Sequence, residues 1–145
     1  MSSGQNADRP GPLGLGGICG TLITVMLLLR GVVQLGKGDF AKRIEGFREV
    51  FKTATGEYLQ RGTLNVKVAA PVEIREHFRI DDPFDREQVL QFEVCRANGK
   101  WAYRIRPRNI RTGCGGWGDD VIEIGCSEDI PNAAEGNVVD MQFFR

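Results

Sequence analysis

Leu90-Gln91-Phe92-Glu93-Val94, then Asn98-Gly99, then Trp101-Ala102-Tyr103-Arg104-Ile105 is the stretch whose reading decides the fold class. Leu90, Phe92 and Val94 alternate with Gln91 and Glu93, the period of two expected of a half-buried strand. Asn98-Gly99 supplies two residues that tolerate positive φ, the requirement of a type I′ turn, whose twist matches the strands it joins. Trp101, Tyr103 and Ile105 continue the alternation on the return strand. The centre of the chain is therefore an antiparallel hairpin, and the flanking segments are read against it.

Leu64, Val66 and Val68 alternate with Thr63, Asn65 and Lys67, a second half-buried strand. Val121–Ile124 reads as a brief apolar strand, Val139, Met141 and Phe143 as a terminal one, and Leu27–Leu35 as the opening one. Pro71–Ile74 reads as a short strand or edge. Residues 75–88 are charged, include Asp81-Asp82-Pro83, and read as a surface loop. One segment breaks the period. Phe40, Ile44, Phe47 and Phe51 recur at helical spacing, with Asp39 as N-cap and Gly56 as the left-handed residue that ends the helix. Six or seven short strands and one early helix predict a mainly β fold, a small β-barrel with one inserted α-helix.

The 145 residues carry 19 basic and 19 acidic side chains, so bulk attraction to nucleic acid is not expected. The charges are segregated. Lys100, Arg104, Arg106, Arg108 and Arg111 occur without an acid between them, while Gly113–Phe144 holds acids and no base. This pattern reads either as two solvated faces or as a local anion pocket beside an acidic rim. Cys19, Cys95, Cys114 and Cys126 show no C-x-x-C spacing, and His77 is the single histidine. No zinc site follows, and reduced cytoplasmic thiols are the simplest account. A Cys114–Cys126 pairing is open, and nothing in the spacing requires it. Mechanisms built on a catalytic histidine would all rest on His77.

Residues 1–17 have the Ser, Gly, Asn and Pro content of a disordered leader. The apolar run Ile18–Leu29 is too short to span a bilayer by itself and lacks the basic flank of a secretory signal. The reading is a disordered or non-native extension over 1–25, with Met26 opening the folded domain, 26–145. A lipid-facing anchor is the competing reading, and no membrane partner is expected.

Glycines number 19 and fall in three clumps, 11–20, 31–38 and 113–118. The second has a chemical rationale. Gly36-Lys37-Gly38 follows a strand and precedes a helix, where bare backbone N–H groups and the helix N-terminus favour phosphate and Lys37 adds a cation. A tight turn explains the same residues. It is not a Walker A loop, since the Ser/Thr is missing. Thr63 and Asn65, two apart on a strand, present neutral oxygens on one face. Mg²⁺ already holding phosphate and water needs one or two such ligands. Two surface residues bonded to each other are the plain alternative.

These segments together resemble the CTP-dependent riboflavin kinases of archaeal type. The resemblance rests on Gly31-Val32-Val33, Gly36-Lys37-Gly38-Asp39-Phe40, a helix with Phe47 and Phe51, and Gly62-Thr63-Leu64-Asn65-Val66-Lys67-Val68. It continues more weakly through Arg106-Pro107, Val121-Ile122-Glu123-Ile124 and Glu135-Gly136-Asn137-Val138. It implies a cradle-loop β-barrel that phosphorylates riboflavin to FMN. Gly36, Lys37, Gly38 and Asp39 would hold the nucleotide phosphates. Thr63 and Asn65 would hold Mg²⁺, and Thr112 and Glu123 would contact the flavin. The expected small-molecule partners are riboflavin and a nucleoside triphosphate, with CTP as donor.

The chain also departs from that family. The turn at Gln34-Leu35 is one residue short. Ile110-Arg111-Thr112 and the insertion Gly113-Cys114-Gly115-Gly116-Trp117-Gly118 replace a Thr-x-His. The Leu-Arg segment that holds cytidine is missing between Gly125 and Ala134, which leaves the donor base open. The alternatives to a riboflavin kinase are a non-catalytic flavin- or nucleotide-binding barrel and a kinase for another small alcohol.

Overall fold

The computed structural model describes residues 25–36, 40–60, 62–82, 85–113 and 118–145, with 40–44 described by backbone alone. The readings made for 1–24, for Lys37, Gly38 and Asp39, for the side chains of Phe40 and Ile44, and for Cys114 and Trp117 lie outside the described residues. The elements in chain order are β1 (Met26–Gln34), α1 (Phe40–Thr55), β2 (Leu64–Val68), β3 (Phe78–Asp81), β4 (Gln88–Ala97), β5 (Lys100–Asn109), β6 (Val121–Gly125) and β7 (Val138–Phe144).

Six strands close into an antiparallel barrel in the order β4-β5-β6-β2-β1-β7, with β7 returning to β4. The predicted mainly β fold with one helix is the fold observed. β4 makes closure possible by dividing one edge between two partners. Its Val89–Phe92 half pairs with β3, and its Cys95–Ala97 half pairs with β7. The hairpin turn is as the sequence reads, with Asn98 at φ 47° and Gly99 at φ 83°.

Each face of β4 and β5 has its own core. Cys95, Ala97 and Ala102 point into the barrel with Val33, Val66, Ile122, Ile124, Met141 and Phe143. Leu90, Phe92, Tyr103 and Ile105 point outward, beneath Phe47 and Phe51 of α1. The Phe51 ring meets Tyr103 edge-on at 5.0 Å, and Phe78 stacks on Phe92 at 4.8 Å. The helix stops at Gly56, φ 84°, whose N–H bonds the Lys52 carbonyl at 2.7 Å.

Two readings are corrected. Pro71–Ile74 forms no strand. Val72 N–H bonds the Asp119 carbonyl and the following Arg75 N–H bonds the Glu93 carboxylate, so residues 70–76 form a strap tied at single points to the segment before β6 and to β4. The charged stretch 75–88 contains β3, because Phe78 and Ile80 alternate within it and bury one face against α1. Apolar burial at two positions outweighs the charge around them.

β1 crosses β2 closely at Gly31, where an added Cβ would lie 2.5 Å from the Lys67 carbonyl oxygen and 2.6 Å from Val66 Cγ1. The carbonyl belongs to the ladder and cannot move aside. Gly31→Ala is expected to destabilise the barrel by about 1–3 kcal/mol, read as a lower urea midpoint at unchanged slope. An unchanged midpoint would show that the crossing has room to spare.

Candidate functional site

One row of residues runs across the outer face of the sheet. Gln34 lies opposite Asn65, Asn65 opposite Glu123, Glu123 opposite Ile105, Ile105 opposite Phe92, and Phe92 opposite Phe78. Helix α1 covers the apolar half. The polar half, Gln34–Asn65–Glu123, continues the row beyond Ile105, with Gly36 against Asn65.

That polar half is largely buried. Asn65 is 5% exposed and Glu123 8%. The Thr63 hydroxyl donates to Glu123 Oε2 at 2.8 Å. The strand period puts Thr63 and Asn65 on one face, as expected, and the β2–β6 register then sets Glu123 beside both. Gly36 closes the site from above. A Cβ there would come within 2.2 Å of Asn65 Nδ2, so a side chain at this position would push that amide aside. The Asn65 Oδ1 atom is buried and has no hydrogen-bond partner among the described residues. Buried side-chain oxygens are paired in the large majority of cases, so this one is a candidate contact for a water or a ligand.

Beside Glu123 the sheet divides. β5 and β6 pair only through Tyr103–Ile105 and Glu123–Gly125. β5 runs on with β4 as far as Asn109, while β6 begins at Val121, where Lys67 and Asp120 form an ion pair. The resulting fork is a narrow cleft, too tight to hold a water molecule, lined by Arg104, Ile105, Arg106, Pro107, Val121 and Glu123. Glu123 thus borders both the Thr63–Asn65 pair and the cleft.

The other expected site residues are distributed as follows. Gly36, Thr63, Asn65 and Glu123 come together. Thr112 stands in an exposed turn beyond the end of β5, where Asn109 Oδ1 accepts from the N–H groups of Arg111 and Thr112. His77 serves the β4 edge, its Nδ1 accepting from Val94 N–H at 3.1 Å. Cys95 and Cys126 are buried free thiols, and desolvation pushes the Cys95 thiol up to about 12. Among the described residues, no three His, Cys, Asp or Glu side chains gather as a metal-ligand set, and no helix is long and apolar enough to cross a membrane.

Sequence reasoning missed Gln34 as the neighbour of Asn65, and it missed the Thr63–Glu123 bond. Both depend on register between strands distant in the chain. No protein-family model matches this chain, and no curated protein matches it closely enough to count as a relative.

Proposed function

We propose that the protein transfers a phosphoryl group from a nucleoside triphosphate to the ribityl hydroxyl of riboflavin, with CTP as the first donor to test. The observation that carries this reading is the buried, unpartnered Asn65 Oδ1 beside the Thr63 hydroxyl and under Gly36.

Two neutral oxygens on one strand face suit Mg²⁺ that keeps its remaining positions for phosphate and water. Thr63 and Asn65 would hold the ion, which when bound neutralises phosphate charge. The Thr63 oxygen keeps lone pairs while its proton rests on Glu123. Gly36 brings the backbone close without a side chain in the way, the arrangement that accommodates a phosphate. Glu123 orients Thr63 from one side and meets the cleft on the other. Ile105, Pro107 and Val121 line the fork beside Glu123. In the reaction the acceptor hydroxyl oxygen bonds the γ-phosphorus. The bond from that phosphorus to the β–γ bridging oxygen breaks, and the nucleoside diphosphate and the hydroxyl proton leave. Positioning and charge neutralisation carry most of such a transfer.

The test is incubation with riboflavin, Mg²⁺ and each of CTP, ATP, GTP and UTP, with FMN resolved by chromatography. FMN is expected with at least one donor. None with any donor would overturn the kinase reading. Flavin fluorescence quenching in that same protein would then favour a binding barrel.

A further inference from the structure

We infer that residues 18–24, the segment that leads into β1, fold back over the outer face of β1, β7 and the hairpin end of β4 and β5, and cover an apolar surface there. Side chains alternate between the two faces of a strand. On β1, Leu27, Leu29 and Val33 pack into the barrel, so Met26, Leu28, Arg30 and Val32 point outward. Met26 stands opposite Phe144, Leu28 opposite Gln142 and Val32 opposite Val138. Gln142 in turn stands opposite Arg96, and Arg96 opposite Trp101. The Trp101 and Phe144 rings approach to 5.6 Å, which joins the two ends of the row.

The face is apolar and open. Met26, Leu28, Val32, Trp101 and Val138 are between 45% and 65% exposed. Helix α1 covers the outer face further along, over Leu90, Phe92, Tyr103 and Ile105. Among the described residues nothing covers the part around Leu28 and Trp101. Contiguous apolar patches of this kind mark surfaces that something else covers. Arg30 and Asp140, in the middle of the face, bond each other at 2.7 Å, so its cover need bring no counter-charge.

The segment before β1 meets those terms. Between Arg9 and Arg30 the sequence carries no charged side chain, and Ile18, Leu22 and Ile23 are apolar. Val25 bonds Arg145 through both its N–H and its carbonyl, at 3.0 and 2.6 Å, so the chain enters at the Met26 end of the face. Once turned back, residues 18–24 reach at most about 25 Å. The face measures about 20 Å from Met26 to Val32. A tethered segment also has the advantage of effective concentration over a second copy recruited from solution. Residues 18–24 would then belong to the folded unit, where the sequence alone reads them as an extension.

The experiment is hydroxyl-radical footprinting of the full chain, read by mass spectrometry, beside the full-length variant Ile18→Asp/Leu22→Asp. Two carboxylates make an apolar seat unfavourable. Trp101 is the reporter, because it is remote from the segment in sequence. Ile110, 60% exposed at the other end of β5, is the reference. Relative to Ile110, Trp101 labelling is expected to rise about threefold or more in the variant, as for an interior side chain brought to the surface. An unchanged ratio would overturn the inference. If circular dichroism shows the variant unfolded, the native chain decides alone. There Trp101, corrected for intrinsic reactivity, is expected to label less than Ile110, although the barrel by itself leaves both more than half exposed. Equal labelling would overturn the inference. Sedimentation velocity of the native chain is expected to show a monomer. A dimer dispersed by Leu28→Ser would give the face to a second copy. Cosedimentation with phosphatidylcholine–phosphatidylglycerol vesicles would give it to a lipid surface. Either result overturns the inference.

Discussion

Glu93→Ala is expected to be the most destabilising single substitution in the chain, at about 3–5 kcal/mol. Glu93 is fully buried, with both oxygens engaged. It holds Arg145 at the end of β7 through two bonds of 3.0 Å, and it holds the strap through Arg75 N–H. Its removal leaves Arg104 and Arg145 facing each other without a carboxylate between them. Domains of this size have about 5–15 kcal/mol in all, so the variant should stand close to unfolding at physiological temperature. Urea unfolding gives the loss directly. A double-mutant cycle with Arg145→Ala should show strong coupling, since the bond between the two is counted once. A loss below about 1 kcal/mol would mean that this end of the barrel does not depend on its buried charges.

Thr63→Ala and Asn65→Ala should each lower FMN formation by about 10²-fold or more, with little loss of fold. The two effects separate a binding residue from a structural one. Asn65 Oδ1 is buried without a described partner, so its removal takes away a group that the fold alone does not satisfy. Asn65→Ala should therefore be nearly neutral to stability, or stabilising. Thr63→Ala forfeits the hydrogen bond to Glu123, at about 1 kcal/mol, and Thr63→Ser should restore both the bond and the activity. Steady-state rates at saturating Mg²⁺, measured beside urea midpoints on the same preparations, decide the matter. Full activity in either alanine variant would remove that residue from the proposed metal site. A large stability loss in Asn65→Ala would mark it as structural.

Much of the site was legible in the sequence through strand periodicity. Thr63 and Asn65 share a face because side chains alternate, and that needs no partner strand. Gly36 stood out as a glycine between a strand and a helix. Its contact with the Asn65 amide was not legible, because it joins segments that the helix separates. Glu123 was expected from the family resemblance on the flavin side. The β2–β6 register places it beside Thr63 and Asn65 as well as at the cleft. Thr112 stands in an exposed turn, which its sequence position alone did not show.

Gln91 and Glu93 read as the solvent face of their strand, yet they are 8% and 0% exposed. One signal was present. Cys95 and Ala97 continue the phase of Gln91 and Glu93, so the nominally polar face turns apolar along the same strand. A strand with that pattern is covered on both sides. Arg104 follows Ala102 in the same way on the return strand.

What this sequence determines by itself is local. The turn at Asn98-Gly99, the helix stop at Gly56 and the alternation in each strand depend on φ preference and on spacing of a few residues. Those features suffice for a mainly β chain with one helix. Which face is inside was decided by closure. β1 pairs with β7, Met26 against Phe144, and β7 reaches β4, so elements from the ends of the chain close the barrel over the inner face of the central hairpin, while α1 covers the outer face. That closure buries Glu93 and Arg104 and sets Glu123 beside Thr63. No local pattern encodes it, because the pairing energy belongs to residues more than a hundred positions apart.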